Sequence, residues 1–245
     1  MGIRAVKRLL GIAVIGGSVL LLDHQSSIAA LVAKYRLLSG DTSSGRISKP
    51  INPPDPMVFE RYATAKRLLY DEVFADHRVT LYCACRFDAA RRLDVACGSF
   101  GEGERARRVE VEHVIPAAWI GQGRRCWREP ICRDSAGQAY RGRACCQKSD
   151  RAFRRAHNDL HNLWPAVGTI NAQRRHYTFA LIPGEVRRLG RCDVEIDHQA
   201  RRVEPRPEMR GDIARIGLYM DLVHGVRLST RQRDLFAAWD EADPP

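Results

Sequence analysis

Lysine is scarce in this chain. Only five residues are Lys (Lys7, Lys34, Lys49, Lys66 and Lys148), and the rest of its 40 basic side chains are Arg. Acidic residues are also in deficit, 29 against 40, so the formal net charge is +11. Residues 1–44 hold five Lys/Arg and two Asp, so the body beyond them is basic in its own right. Base composition of the genome accounts for the Arg-to-Lys ratio but not for the charge. Arg presents a planar fork of donors that matches a phosphate bidentately, so the balance favours a polyanionic partner. There is no internal repeat, and no recognisable module for reading bases.

A long apolar run is missing too. The longest is Leu9 to Leu22, fourteen uncharged and mostly apolar residues closed by Asp23. A membrane span needs roughly 20. Behind the positive segment Met1–Arg8, the run reads as a signal-peptide core, with Ser27-Ile28-Ala29 as a small-x-small cleavage site. An uncleaved anchor is the alternative, and either reading exports the body. Residues 1–29 are therefore expected to be signal peptide or anchor and 30–56 a linker, polar and rich in Pro, Ser and Gly from 41 on. Residues 57–245 are expected to form one domain.

The zinc-ribbon pattern of Cys pairs two residues apart is absent; the chain has Cys83-Ala84-Cys85 and Cys145-Cys146 instead. Eight Cys, all in the body of an exported chain, predict about four disulfides.

Periodicity predicts a helix over 57–76, a strand over 78–85 and a second strand over 108–115 closed by Pro116. Residues 121–156, full of Arg, Gly and Cys, read as irregular. A helix is expected over about 160–175, with Pro165 in its first turn. Two more are expected over 212–224, ended by Gly225, and from the capping box Ser229-Thr230-Arg231-Gln232 onward.

Chemistry gathers at two places. Glu112 and His113 stand at the end of the second predicted strand. Neighbours on a strand point to opposite faces, so they share a site only if the strand breaks there, as Pro116 suggests. A carboxylate then takes a hard cation while the imidazole takes a proton from water. Asp159-Leu160-His161-Asn162-Leu163 sets polar groups among apolar ones. Asn162 offers a carbonyl oxygen to a metal, or serves as a hydrogen-bonded core Asn, and His161 reads as structural. Each pair taken alone is better explained as structure than as site.

Taken in order, the segments Tyr82-Cys83-Ala84-Cys85, Ala96-Cys97-Gly98, 109–117 (VEVEHVIPA), Cys126-Trp127, 159–166 (DLHNLWPA), Gly168 to Asn171, Cys192, Glu204-Pro205, 211–215 (GDIAR), Tyr219-Met220 and 228–239 (LSTRQRDLFAAW) resemble the bacterial endonuclease I family of periplasmic and secreted nucleases. The resemblance implies an α+β fold, a mixed α/β single domain stapled by disulfides and containing a ββα-metal (His-Me) finger. On that finger His113 ends a strand as general base and Asn162 sits on the helix. Glu112 and Asn162 would hold Mg²⁺ or another divalent cation. Arg143, in Gly142-Arg143-Ala144-Cys145-Cys146, would contact the phosphate. Arg133 is the runner-up, because 128–141 looks inserted, and Glu110 matches a supporting carboxylate. The implied activity is largely sequence-non-specific cleavage of DNA, with RNA left open, by a periplasmic or secreted monomer. The competing reading is a catalytically dead exported nucleic-acid-binding protein, against which Glu112, His113 and Asn162 stand together. Cys132 and Cys145 fall outside the family pattern and are expected to pair with each other. Cys126 is then expected to pair with Cys146, and Cys83 and Cys85 with Cys97 and Cys192 in an order left open.

Overall fold

The computed structural model describes residues 10–15, 18–23, 56–184, 189 and 192–244. The expected cleavage site and almost all of the expected linker lie outside them. Near the N-terminus, β1 (Leu10–Ile15) pairs antiparallel with β2 (Ser18–Asp23). Among the described residues no helix is long and apolar enough to cross a membrane.

The body opens with α1 (Tyr62–Leu68), continued by a wider turn over Leu69–Val73. Its core stripe includes Ala65 and Leu69, both fully buried. The predicted strand over 78–85 does not form. The chain folds back on itself instead, with Thr80 N–H donating to Cys85 C=O and Ala84 in the left-handed region at φ 53°. Alternate side chains explain this: Tyr82 enters the core, while Cys83 and Cys85 are drawn apart into bridges with Cys192 and Cys97.

The strand predicted at 108–115 is β3 (Val109–His113). Its partner was not foreseen. β6 (Leu163–Val167) pairs antiparallel with it, His113 opposite Leu163 and Val111 opposite Pro165, and α6 (Gly168–Arg174) follows at once. The helix expected over 160–175 is thus a short turn over Leu160–Asn162, a strand and a helix. All five residues of β6 are buried, and such a run carries no amphipathic signature to separate strand from helix. Pro165 has no N–H to donate. It supplies only its carbonyl, which accepts Leu81 N–H at 2.8 Å and docks the folded-back loop on β6.

Residues 121–156, expected to be irregular, are largely ordered. They hold α2 (Ala117–Gly121), which begins just before them, and α3 (Arg125–Arg128). A small ribbon of β4 (Cys132–Arg133) and β5 (Ala139–Tyr140) follows, and then α4 (Arg143–Ser149) and α5 (Arg151–His157). Asp150 caps α5, accepting Phe153 N–H at 2.8 Å. The stapling expectation holds here: Cys126–Cys146 and Cys132–Cys145 nest, both ending on α4.

A three-stranded sheet in the order β7 (Thr178–Phe179), β9 (Arg202–Glu204), β8 (Glu195–Asp197) completes the mixed α+β domain. Against the core lies an antiparallel pair, α7 (Arg210–His224) and α8 (Thr230–Ala242). Both were legible: Gly225 takes the left-handed cap at φ 63°, and Ser229 Oγ accepts Gln232 N–H. Fully buried Arg215 ties their ends together, reaching Asp212 at 2.6 Å, Asp240 at 3.2 Å and the Asp243 carbonyl at 2.7 Å.

Candidate active site

β3 ends at His113 and the chain bends at Val114 and Ile115 ahead of Pro116, as expected. Arg143 and Arg174 bear electrostatically on both Glu112 and His113. His113 is buried, stacked on the Tyr62 ring with centroids 5.8 Å apart. Its Nε2 lies 2.9 Å from the His157 carbonyl. A carbonyl only accepts, so Nε2 carries the proton and Nδ1 keeps its lone pair. Burial, with His157 and Arg143 nearby, holds the imidazole well below its ordinary pKa. It is a neutral His with one nitrogen positioned and the other able to take a proton.

Arg143 opens α4. Its Nε donates to His157 Nε2 at 2.8 Å, and its guanidinium carbon stands 5.9 Å from the Tyr62 ring centre. The side chain lines an open groove of about 710 Å³ together with Tyr62, Lys66, Arg91, Glu110 and Asn171. The alternative, Arg133, is bound to Gly137 C=O within its own β4–β5 turn.

Glu112, the neighbour of His113, is 3% exposed. Its Oε1 accepts the Tyr82 hydroxyl at 2.8 Å, with Arg174 Nε at 3.3 Å. Burial pushes its carboxyl up, opposed by Arg174 and Tyr82. Its charge also bears on Tyr62 and Arg143, both of which line the groove. Glu110 is nearer the surface. Burial pushes that carboxyl up, but Arg105 (2.5 Å) and Arg108 (3.0 Å) outweigh it and hold it below the usual range. Asn171, on α6, donates through Nδ2 to Glu110 at 3.1 Å and to Val111 C=O at 3.5 Å; neither bond uses its carbonyl oxygen.

The structure places Asn162 apart from this groove. It lies in the turn before β6, not on the finger helix, and it is fully buried. Its Oδ1 accepts Ile115 N–H at 2.7 Å and its Nδ2 donates to Ile115 C=O at 2.9 Å. Both ends of the amide are thus spent bridging the loop after β3, and the carbonyl that a metal would need is taken and shielded from solvent. His161 is structural as expected. Its Nδ1 bonds Asp159 at 2.7 Å, and Asp159 also accepts the Tyr219 hydroxyl at 2.6 Å and pairs with His224 at 2.7 Å, locking this turn to α7.

Among the described residues no three His, Cys, Asp or Glu side chains gather into a cage. Mg²⁺ does not require one. It keeps several waters and binds through one or two protein oxygens. A carboxylate (Glu112), one of whose oxygens is held by Tyr82 and Arg174, and an amide on the groove wall (Asn171), whose oxygen takes no bond to Glu110 or Val111, supply oxygen donors of that kind. His157, Tyr62 and Asn171 as a site residue were missed from sequence. The polar run His157-Asn158-Asp159 between Ala156 and Leu160 was the available signal.

A disulfide-stapled α+β domain with a buried neutral His beside an Arg that lines a basic groove has the features of an exported hydrolase acting on an anionic polymer. Comparison with known proteins gives the family. The Endonuclease I family model matches residues 59–245, and the chain belongs to that family. It is 35% identical over 192 residues to an extracellular deoxyribonuclease of Aeromonas hydrophila, covering 76% of this chain and 78% of that protein. It is 33% identical over 205 residues to a periplasmic deoxyribonuclease of the same organism, covering 81% and 80%. It is 32% identical over 171 residues to Endonuclease-1 of Buchnera aphidicola subsp. Acyrthosiphon pisum (strain APS), covering 67% and 64%. The periplasmic or secreted location expected from the leader and the cysteines matches the names of these relatives.

Proposed function

We propose that this protein is a divalent-metal-dependent endonuclease that cleaves DNA with little sequence preference, built on a ββα-metal finger formed by β3, β6 and α6. The observation that carries this reading is the His113–His157 hydrogen bond. It fixes a neutral imidazole with Nδ1 available beside an Arg-lined groove. In the proposed reaction His113 Nδ1 accepts the proton of the attacking water. Arg143 binds non-bridging phosphate oxygens through its remaining N–H donors, supplying positive charge where negative charge develops. Glu112 and Asn171 are the residues that would hold the cation, Asn171 replacing the Asn162 expected from sequence. A bound Mg²⁺ would polarise the phosphate and stabilise the departing oxygen. Arg91, Arg105, Arg108 and Lys66 along the groove offer charge to the backbone on either side, which gives affinity without base readout.

A plasmid-nicking assay tests the reading. Nicking should require Mg²⁺ and stop with chelator. His113→Ala should lower kcat by roughly 10²- to 10⁴-fold and leave DNA binding nearly unchanged. Chelator-resistant nicking would refute the metal, and wild-type turnover by His113→Ala would refute the base. Tight binding without any nicking under all conditions would favour the non-catalytic alternative.

A further inference from the structure

His157 hydrogen-bonds to both proposed catalytic groups. It is the last residue of α5 and is fully buried. Its backbone carbonyl takes His113 Nε2–H at 2.9 Å, its side-chain Nε2 faces Arg143 Nε at 2.8 Å, and the two imidazole centroids are 4.3 Å apart.

Donor and acceptor roles along this chain are forced from its far end. Asn158 Nδ2 lies 2.7 Å from the Phe59 carbonyl and 3.3 Å from that of Glu60. Both are acceptors, so this atom is the amide nitrogen and Oδ1 is the acceptor. Asn158 Oδ1 stands 2.7 Å from His157 Nδ1, which must therefore carry the proton. His157 Nε2 is left with a lone pair, and an Arg Nε–H can only donate to it. The roles run in sequence from the backbone before α1 to the guanidinium, and Gln147 Nε2, 3.4 Å from the same His157 nitrogen, is a second and longer donor to it. Burial, followed by the nearby Arg143, pushes His157 down to about 4, consistent with a neutral acceptor.

We propose that the His157 side chain is a positioning residue for Arg143, holding its Nε so that the Nη1/Nη2 edge faces the phosphate. This rests on the reading of Arg143 as the phosphate ligand. A long Arg side chain otherwise samples many rotamers, and fixing it before substrate arrives removes that entropy from the reaction. The same residue then sets the tautomer of the base through its backbone and the aim of the Arg through its ring.

The test uses the full-length protein with two substitutions. His157→Phe keeps a flat ring among Tyr62, Phe153 and His113 and keeps the backbone carbonyl, but removes the acceptor. His157→Gln restores an acceptor near the Nε2 position. His157→Phe should lower kcat at saturating Mg²⁺ by roughly tenfold or more, and His157→Gln should recover much of that loss. In an Arg143→Ala background, His157→Phe should cost nothing further. An equal loss in both backgrounds, or wild-type kcat in His157→Phe, overturns the proposal. A separate readout does not depend on cleavage. The Arg143 Nε–H resonance should be protected from exchange in the wild type and in His157→Gln, and unprotected in His157→Phe. Equal protection in all three overturns the positioning contact. If Arg143→Ala itself cleaves at the wild-type rate, the phosphate role of Arg143 fails, and the exchange measurement still decides the contact. If His157→Phe does not fold, loss of protection in a folded His157→Gln overturns the proposal, and retained protection supports it.

Discussion

At the scale of single residues, the proposed function moves the ligand role from one asparagine to another. Asn162 sits in the more distinctive block, yet it spends both ends of its amide on Ile115. Asn171 sits in a plain helical stretch and lines the groove. Substitution separates them. Asn162→Ala leaves the Ile115 N–H and C=O unpaired in the interior, each costing about 1–3 kcal/mol, so Tm should fall steeply while kcat of the folded fraction survives. Asn171→Ala should keep Tm within a few degrees and lose Mg²⁺-dependent cleavage. The opposite pattern, a stable but inactive Asn162→Ala, would return the ligand role to Asn162. His113 yields a second prediction. Its pKa is depressed, so the neutral form, the one that accepts a proton, persists as pH falls below the ordinary value of 6.5. The His113 ring-proton shifts should therefore stay constant from about pH 8 to about pH 6. A titration midpoint near the ordinary value would contradict the buried, carbonyl-tethered imidazole.

Among the elements, the pair α7 and α8 shows what a sequence discloses well. Capping at Ser229 and termination at Gly225 are local chemistry, and the structure has both where the sequence predicts them. Close approach is less visible. A Cβ on Gly217 would collide with the Phe236 ring, so glycine there lets α7 and α8 meet. Gly217→Ala raises helix propensity yet should destabilise by about 1–3 kcal/mol through overpacking, seen as a lower urea midpoint. A stabilised variant would show that the helices can separate at no cost. The elements that were misread fail for a shared reason. β6 is buried on both faces and so loses the alternation that marks β3. The loop at 80–85 has a strand's composition but is bent by two disulfides, and α4 and α5 hide in a stretch where Arg and Cys obscure the apolar stripe. Glu112, His113 and Arg143 stand out in the sequence because their neighbours form recognisable blocks, and the structure brings His113 and Arg143 together on His157. The site was not legible at His157, whose contribution depends on a contact 14 residues away along the chain.

For the molecule as a whole, the question is how a basic surface loop region holds an Arg still. Both nested bridges end on adjacent residues of α4, Cys145 and Cys146, and Arg143 is the first residue of that helix. They differ in what they bracket. Cys126–Cys146 closes around Arg143 directly, because Gly142 N–H also donates to Cys126 C=O at 2.9 Å. Cys132–Cys145 closes the β4–β5 ribbon, which contributes no residue to the groove lining. Each bridge contributes roughly 2–4 kcal/mol by restricting the unfolded chain, so removing either should lower Tm to a similar degree. Activity should divide them. At a temperature where both variants are folded by circular dichroism, Cys132→Ala/Cys145→Ala should keep kcat near wild type. Cys126→Ala/Cys146→Ala should lose about tenfold or more, since the first turn of α4 is then free to shift and a small displacement of a charge-stabilising group is costly. Partial reduction of the wild type should follow the second variant, losing nicking activity before the far-ultraviolet spectrum changes. Equal kcat in the two double variants would mean that both bridges serve stability alone, and that the aim of Arg143 depends on His157 rather than on the staple behind it.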